Sequence, residues 1–249
     1  MCYSPYFFEY ISHQIQGLNS PSMKQLLLSV SLILAGYLTQ AQIIIYVDSA
    51  AAGLDNGTSW ANAYNDLQDA LETAQPNTQI WVAKGSYWPT KNWLDVLQDW
   101  RSNKKTFKMR PGVRVLGGFN GTETQINQRD WRKNKTRLTA IDPDPTMQTA
   151  ACVVFFDDLD QTSQLDGFWI TDGHTYSGDW LLFGAGITIK KGSPILGNLI
   201  IKNNTSDNGD DRSSGGISVH ESSPYIYNCE ITNNSIKNIP LGCSYRFKV

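Results

Sequence analysis

Charge is scarce in this chain and neither sign is in excess: 18% of its 249 residues are charged, 21 basic against 23 acidic, for a formal net charge of -2. A surface that tracks phosphates needs a basic excess, so nucleic acid is excluded as a partner. Histidine occurs three times and cysteine four. Cys2 precedes the mature chain argued below, and Cys152, Cys229 and Cys243 form an odd, scattered set. That excludes a disulfide framework; without CxxC or HExxH, zinc chemistry also lacks support. A Walker loop, a dinucleotide glycine fingerprint and a Ser/His/Asp or Cys/His spacing are missing too. No apolar run reaches the roughly 18 to 20 residues that span a bilayer. What is plentiful is glycine (20) and aromatic residues (11%, with 8 Trp), a strand-and-turn composition rather than that of a helical bundle.

The amino terminus reads as an address. Met23 and Lys24 precede an apolar run at 26–38 (LLLSVSLILAGYL) and then Thr39, Gln40 and Ala41, which put small residues at the -3 and -1 positions of a signal-peptidase site. The expectation is a signal peptide at 23–41 with cleavage before Gln42, and a mature chain with no transmembrane span. Gln42 rather than cysteine follows the cut, so no lipid anchor is expected. Residues 1–22 suit neither a basic leader nor a domain and read as a mis-called extension.

The organising feature lies near the carboxyl end. Residues 186–205 (GITIKKGSPILGNLIIKNNT) align without a gap on 216–235 (GISVHESSPYIYNCEITNNS), an offset of 30, and a weaker copy, 167–173 (GFWITDG), lies over 198–204 at an offset of 31. Such a period marks a solenoid or array. Within each unit two short strands alternate inside and outside residues: Ile187, Ile189, Leu199 and Ile201 in one, Ile217, Val219, Cys229 and Ile231 in the next. Ser-Pro and Asn-Asn break any helical period, and each unit is too small to bury its own apolar face, so the units must stack. Asn198 then lies against Asn228, and Asn203 and Asn204 against Asn233 and Asn234, where amides can form ladders at left-handed turns.

With these coils, the motifs IYVD (45–48), DNGTSW (55–60), DLQDAL (66–71), IWVAKGSY (80–87), GVRVLGGF (112–119), GTET (121–124) and RDW (129–131) resemble large secreted proteins of Bacteroidetes-type bacteria in the pectate-lyase-like superfamily. The resemblance covers Tyr46 to about Ser235. It implies an all-β fold, a right-handed parallel β-helix, in a secreted or outer cell-surface protein, and it fixes the architecture rather than an activity. The expected plan is one β-helix domain at 42–249: a cap at 42–78, coils at 79–235 and an irregular, truncated end at 236–249. Trp60, Tyr64, Leu67, Leu71 and Ala74 recur at helical spacing after Ser59, a possible N-cap, so one amphipathic helix is expected to close the first coil. Residues 89–105 read as an insertion from a coil.

Function is argued from acids and aromatics. Lyases of this superfamily align carboxylates on Ca2+ and use Arg or Lys as base, and polygalacturonase-type sites hold a double Asp, so the resemblance makes Asp157 and Asp158, with Asp160, catalytic candidates, and Asp172 with His174, a fragment of the polygalacturonase GHG mark, a further pair. Asp157 and Asp158 end an apolar run as a strand-ending turn would; Asp142 and Asp144 alternate with proline as in a solvated turn. Polygalacturonase marks (NTD, GHG, RIK) are absent. Asp207, Asp210 and Asp211, beside Arg212, are the Ca2+ candidates, yet their loop lacks EF-hand order and reads more simply as solvated. His174 and His220 are expected to face solvent at coil turns. Trp88, Trp93, Trp100, Trp131, Trp169 and Trp180 exceed what a slim aliphatic core needs, and such rings stack on sugars. The expectation is a non-catalytic adhesion or glycan-binding protein whose partner is a polysaccharide or cell-surface glycan. The alternative is a lyase or hydrolase acting on acidic polysaccharide.

Overall fold

In the computed structural model the repeats wind into a parallel β-solenoid. It describes residues 42–91, 105–144, 152–175, 184–207 and 214–237, together with the single residue Gln25; from residue 43 onward all belong to one unit, Ile43–Val249. The leader, Asp210, Asp211, Arg212, Trp93, Trp100, Trp180, most of the 89–105 insertion and the end after 237 lie outside the described residues. Among those described, no helix is long and apolar enough to cross a membrane.

The first strand is β1 (Ile43–Val47). Next come β2 (Thr78–Ala83), β3 (Gly85–Tyr87) and β4 (Phe107–Lys108), then β5 (Arg114–Phe119), β6 (Thr136–Thr139) and β7 (Val154–Leu159). The following coil is β8 (Gln164–Asp166), β9 (Trp169–Thr171), β10 (His174–Thr175) and β11 (Ile187–Gly192). Another holds β12 (Ile195–Gly197), β13 (Ile200–Lys202), β14 (Thr205–Ser206) and β15 (Ile217–His220), and the last β16 (Tyr225–Tyr227), β17 (Glu230–Thr232) and β18 (Ser235–Ile236). Successive coils add one strand to each wall: sheet one is β1-β2-β5-β8-β12-β16, sheet two β3-β6-β9-β13-β17, sheet three β10-β14-β18 and sheet four β4-β7-β11-β15.

Register follows the sequence offsets. Ile187 pairs with Ile217 at the spacing of 30, and Ile170 with Ile201 at 31. Inward residues therefore stack like on like: Ile45, Ile80, Val115, Leu165, Leu196 and Ile226 form one column through sheet one, and Leu138, Ile170, Ile201 and Ile231 one through sheet two. Each buried aliphatic contributes about 1.5–3 kcal/mol by leaving water. Val219, expected inside, is 45% exposed, because β15 is the outermost described strand of its sheet.

The asparagine turns form as expected. Asn198, Asn203, Asn228 and Asn233 have φ of 53, 57, 49 and 54°, a left-handed backbone that asparagine tolerates. Asn228 Nδ2 donates to Asn198 Oδ1 at 2.6 Å, and Asn204 Nδ2 to Asn234 Oδ1 at 2.9 Å. In the preceding coil Gly167 (φ 85°) and Asp172 (φ 66°) hold the equivalent places. Buried Asn204 also accepts the Gly173 N–H and donates to Ile170 O, so one side chain stitches three coils.

The helix is shorter than its stripe. Helix α1 spans Leu67–Thr73 and is capped by Asp66, whose carboxylate accepts the Gln68 N–H, rather than by Ser59. Ser59 instead closes a turn, accepting the Asn62 N–H. Trp60 leaves the helical path for the outside of sheet one, its ring 4.8 Å from Tyr46 and 5.6 Å from Phe119, with Nε1 donating to Glu123 O. There Trp81, Leu116 and Phe119 make a second, external core. Leu67, Ala70 and Leu71 pack into the main one. Cys152 and Cys229 are buried and free.

Candidate functional site

The acidic candidates fall on separate walls. Asp157 and Asp158 both lie within β7, which continues to Leu159; Asp157 is 4.0 Å from Lys108 Nζ and opposite Lys190 in the ladder. Burial holds the Lys108 ammonium below its ordinary range, against the pull of Asp157. Asp158 has a φ of 54° and heads a column of left-handed residues with Lys191 (61°) and Glu221 (49°): a bend of the wall, not a strand end. Asp172 accepts hydroxyl hydrogen bonds from Thr139, at 2.8 Å, and from Thr171, so its carboxylate secures the turn it occupies. Asp142 and Asp160 likewise cap their own turns, accepting the N–H of Asp144 and of Thr162.

The structure joins one catalytic candidate to one metal candidate. His174 Nε2 lies 2.7 Å from Asp207 Oδ2, and Lys237 Nζ lies 3.5 Å from the other oxygen. Histidine, aspartate and lysine come from successive coils at the ends of β10, β14 and β18. The hydrogen bond from His174 is the main cause of an Asp207 carboxyl held below its ordinary range, with Lys237 adding to it. His174 is thus engaged at a turn rather than simply solvated. Among the described residues no three His, Cys, Asp or Glu side chains gather as metal ligands.

Sequence reasoning missed a buried acid. Asp166, at the end of β8, is 1% exposed. It receives Arg129 Nη2 at 2.6 Å, Asn198 Nδ2 at 3.0 Å to both oxygens, Gln164 Nε2 at 3.3 Å and Tyr227 Oη at 2.5 Å. Burial, which disfavours the phenolate, and the facing carboxylate push the Tyr227 pKa up to about 12. Tyr227 reaches across a whole coil because Gly197 lies beneath it: a Cβ there would stand 2.2 Å from the ring. The signal was in the repeat, which aligns Gly197 with Tyr227. A carboxylate so fully bonded fastens coils and offers no lone pair to a substrate.

The outer face of sheet two is different. Trp169 is half-buried there, in register with Arg137 on one side and Ile200 on the other. Lys135 Nζ and Lys202 Nζ stand 4.9 and 4.4 Å from its ring centre, within cation–π range. Its Nε1 is buried with no hydrogen-bond partner among the described residues. The arrangement is an aromatic plate on a flat wall, ringed by cations. No family model, curated protein or solved structure matches the chain.

Proposed function

We propose that this is an exported, cell-surface β-solenoid of the pectate-lyase-like kind that binds glycans without cleaving them. The observation that carries the reading is Trp169 with Lys135, Lys202 and Arg137 about it. An indole face stacks on the C–H surface of a sugar ring, and the cations suit a glycan bearing carboxylates. Dispersal of the acids over separate walls supports binding over catalysis. Export rests on the Met23 to Ala41 leader pattern. A second reading, lyase or hydrolase, is favoured by the His174/Asp207 contact, since a carboxylate that orients an imidazole is one half of a general base.

The test is a glycan array probed with the full chain, alongside depolymerisation assays on the same polysaccharides with and without Ca2+. Binding of acidic glycans that Trp169→Ala weakens about tenfold, without cleavage, is the expected result. Cleavage abolished by His174→Ala would install the enzyme in its place.

A further inference from the structure

The segment between β5 and β6 forms an open cleft of about 490 Å3, lined by Asn120, Thr122, Glu123, Gln128, Asp130, Lys133 and Asn134. Its backbone is fixed from within. The Glu123 carboxylate accepts the N–H groups of Asn120, Gly121 and Thr122; Gln128 Oε1 accepts those of Thr124 and Gln125; Asp130 Oδ1 accepts those of Arg132 and Lys133. Arg129 anchors the same segment to Asp166, and Asn134 Nδ2 donates to Gly118 O. Little ordering entropy is left to lose when something binds.

After those internal bonds a mixed set of groups in the cleft-lining residues has no partner among the described residues: Asp130 Oδ2 and Asn134 Oδ1 as acceptors, Lys133 Nζ and the amide nitrogens of Asn120 and Gln128 as donors, and the Thr122 hydroxyl as either. Most small-molecule pockets are walled by apolar side chains; every residue lining this one is polar, and their carbon atoms supply the minor, apolar part of the wall. A ligand that matches it must donate and accept from neighbouring atoms over its whole surface. Vicinal hydroxyls do this, because each is both donor and acceptor. The charges of Asp130 and Lys133 offset each other, and that of Glu123 is held by the three N–H groups that converge on its carboxylate, which suits a ligand without net charge. We propose that the cleft at residues 120–134 binds a neutral sugar ring through adjacent hydroxyls, as a site separate from the Trp169 face and independent of whether that face binds glycan.

Amide NMR of the full chain, titrated with the methyl α-glycosides of glucose, galactose and mannose and with glucuronate, tests this. At least one neutral glycoside should give saturating shifts at residues 120–134. Lys133→Ala removes an exposed donor; Asp130→Asn keeps the Oδ1 that caps the turn but replaces the free acceptor with a donor. Each should weaken that binding about tenfold with unchanged thermal stability, while Trp169→Ala leaves it intact. The proposal is overturned if no neutral glycoside saturates the cleft, if glucuronate alone does, if both cleft variants keep full affinity, or if Trp169→Ala removes the response.

Discussion

Asp166 shows how one residue can hold several coils. Arg129 reaches it from the segment after β5, Asn198 from the next coil and Tyr227 from the one beyond. Asp166→Ala leaves a guanidinium whose side chain is 15% exposed without its partner, and unfolding measurements should show a loss of about 3 kcal/mol. The same cluster sets an alkaline limit. Tyr227 titrates near 10 when unfolded and at about 12 when folded, so the folded state holds the proton more tightly. Its contribution is complete below pH 10 and disappears as pH rises through 12. Stability of the native chain should fall across that window, and Tyr227→Phe should flatten the fall; an identical decline in the variant would remove Tyr227 as the cause. None of this was legible in linear order, because Arg129, Asp166 and Tyr227 meet only when coils stack. What could be read, and was not, is a glycine opposite a tyrosine in the aligned repeats. His174 and Asp207 were each singled out, but in different roles, since their meeting depends on the side-by-side pairing of β10 and β14 from successive coils.

Elements were legible in proportion to how much of their pattern is local. Short strands with aliphatics at every second place, closed by asparagines with positive φ, leave one stacking register, because a one-residue slip would turn every Ile outward. Ile201 tests that register. It is fully buried between Ile170 and Ile231, so Ile201→Asp places a charge inside the stack and should cost roughly 4 kcal/mol in thermal or denaturant unfolding. Asp210→Ala, in the sequence between the two repeats, should change stability by no more than about 0.5 kcal/mol. Equal tolerance of both would refute the register, and a Ca2+-dependent loss in Asp210→Ala would reveal a metal at that acidic segment. The helix was harder. Its apolar stripe from Trp60 to Ala74 is continuous in sequence, but Ser59 closes a local turn on the Asn62 N–H, and the Asn62 and Asn65 side chains tie the segment to the Leu54 N–H and the Asp48 carbonyl, so only Leu67–Thr73 is helical.

At the scale of the whole molecule, the period of 30 to 31 was enough to give the solenoid, because stacking converts a sequence offset directly into a neighbour in space. It was silent on the walls' outer faces, where residues need match nothing across coils. Circular dichroism of the chain from Gln42 should be dominated by β signal with a minor helical part, and amino-terminal sequencing of exported protein should begin at Gln42; intact chain held in the inner membrane would make the apolar run an anchor. The bend in sheet four accepts charge of either sign. Asp158, Lys191 and Glu221 occupy the same left-handed position in three consecutive coils, an acid, a base and an acid again. The bend is thus imposed by closure of the coil and is indifferent to the charge that sits on it. Along that ridge the charge can be rewritten, residue by residue, while the wall beneath keeps its register.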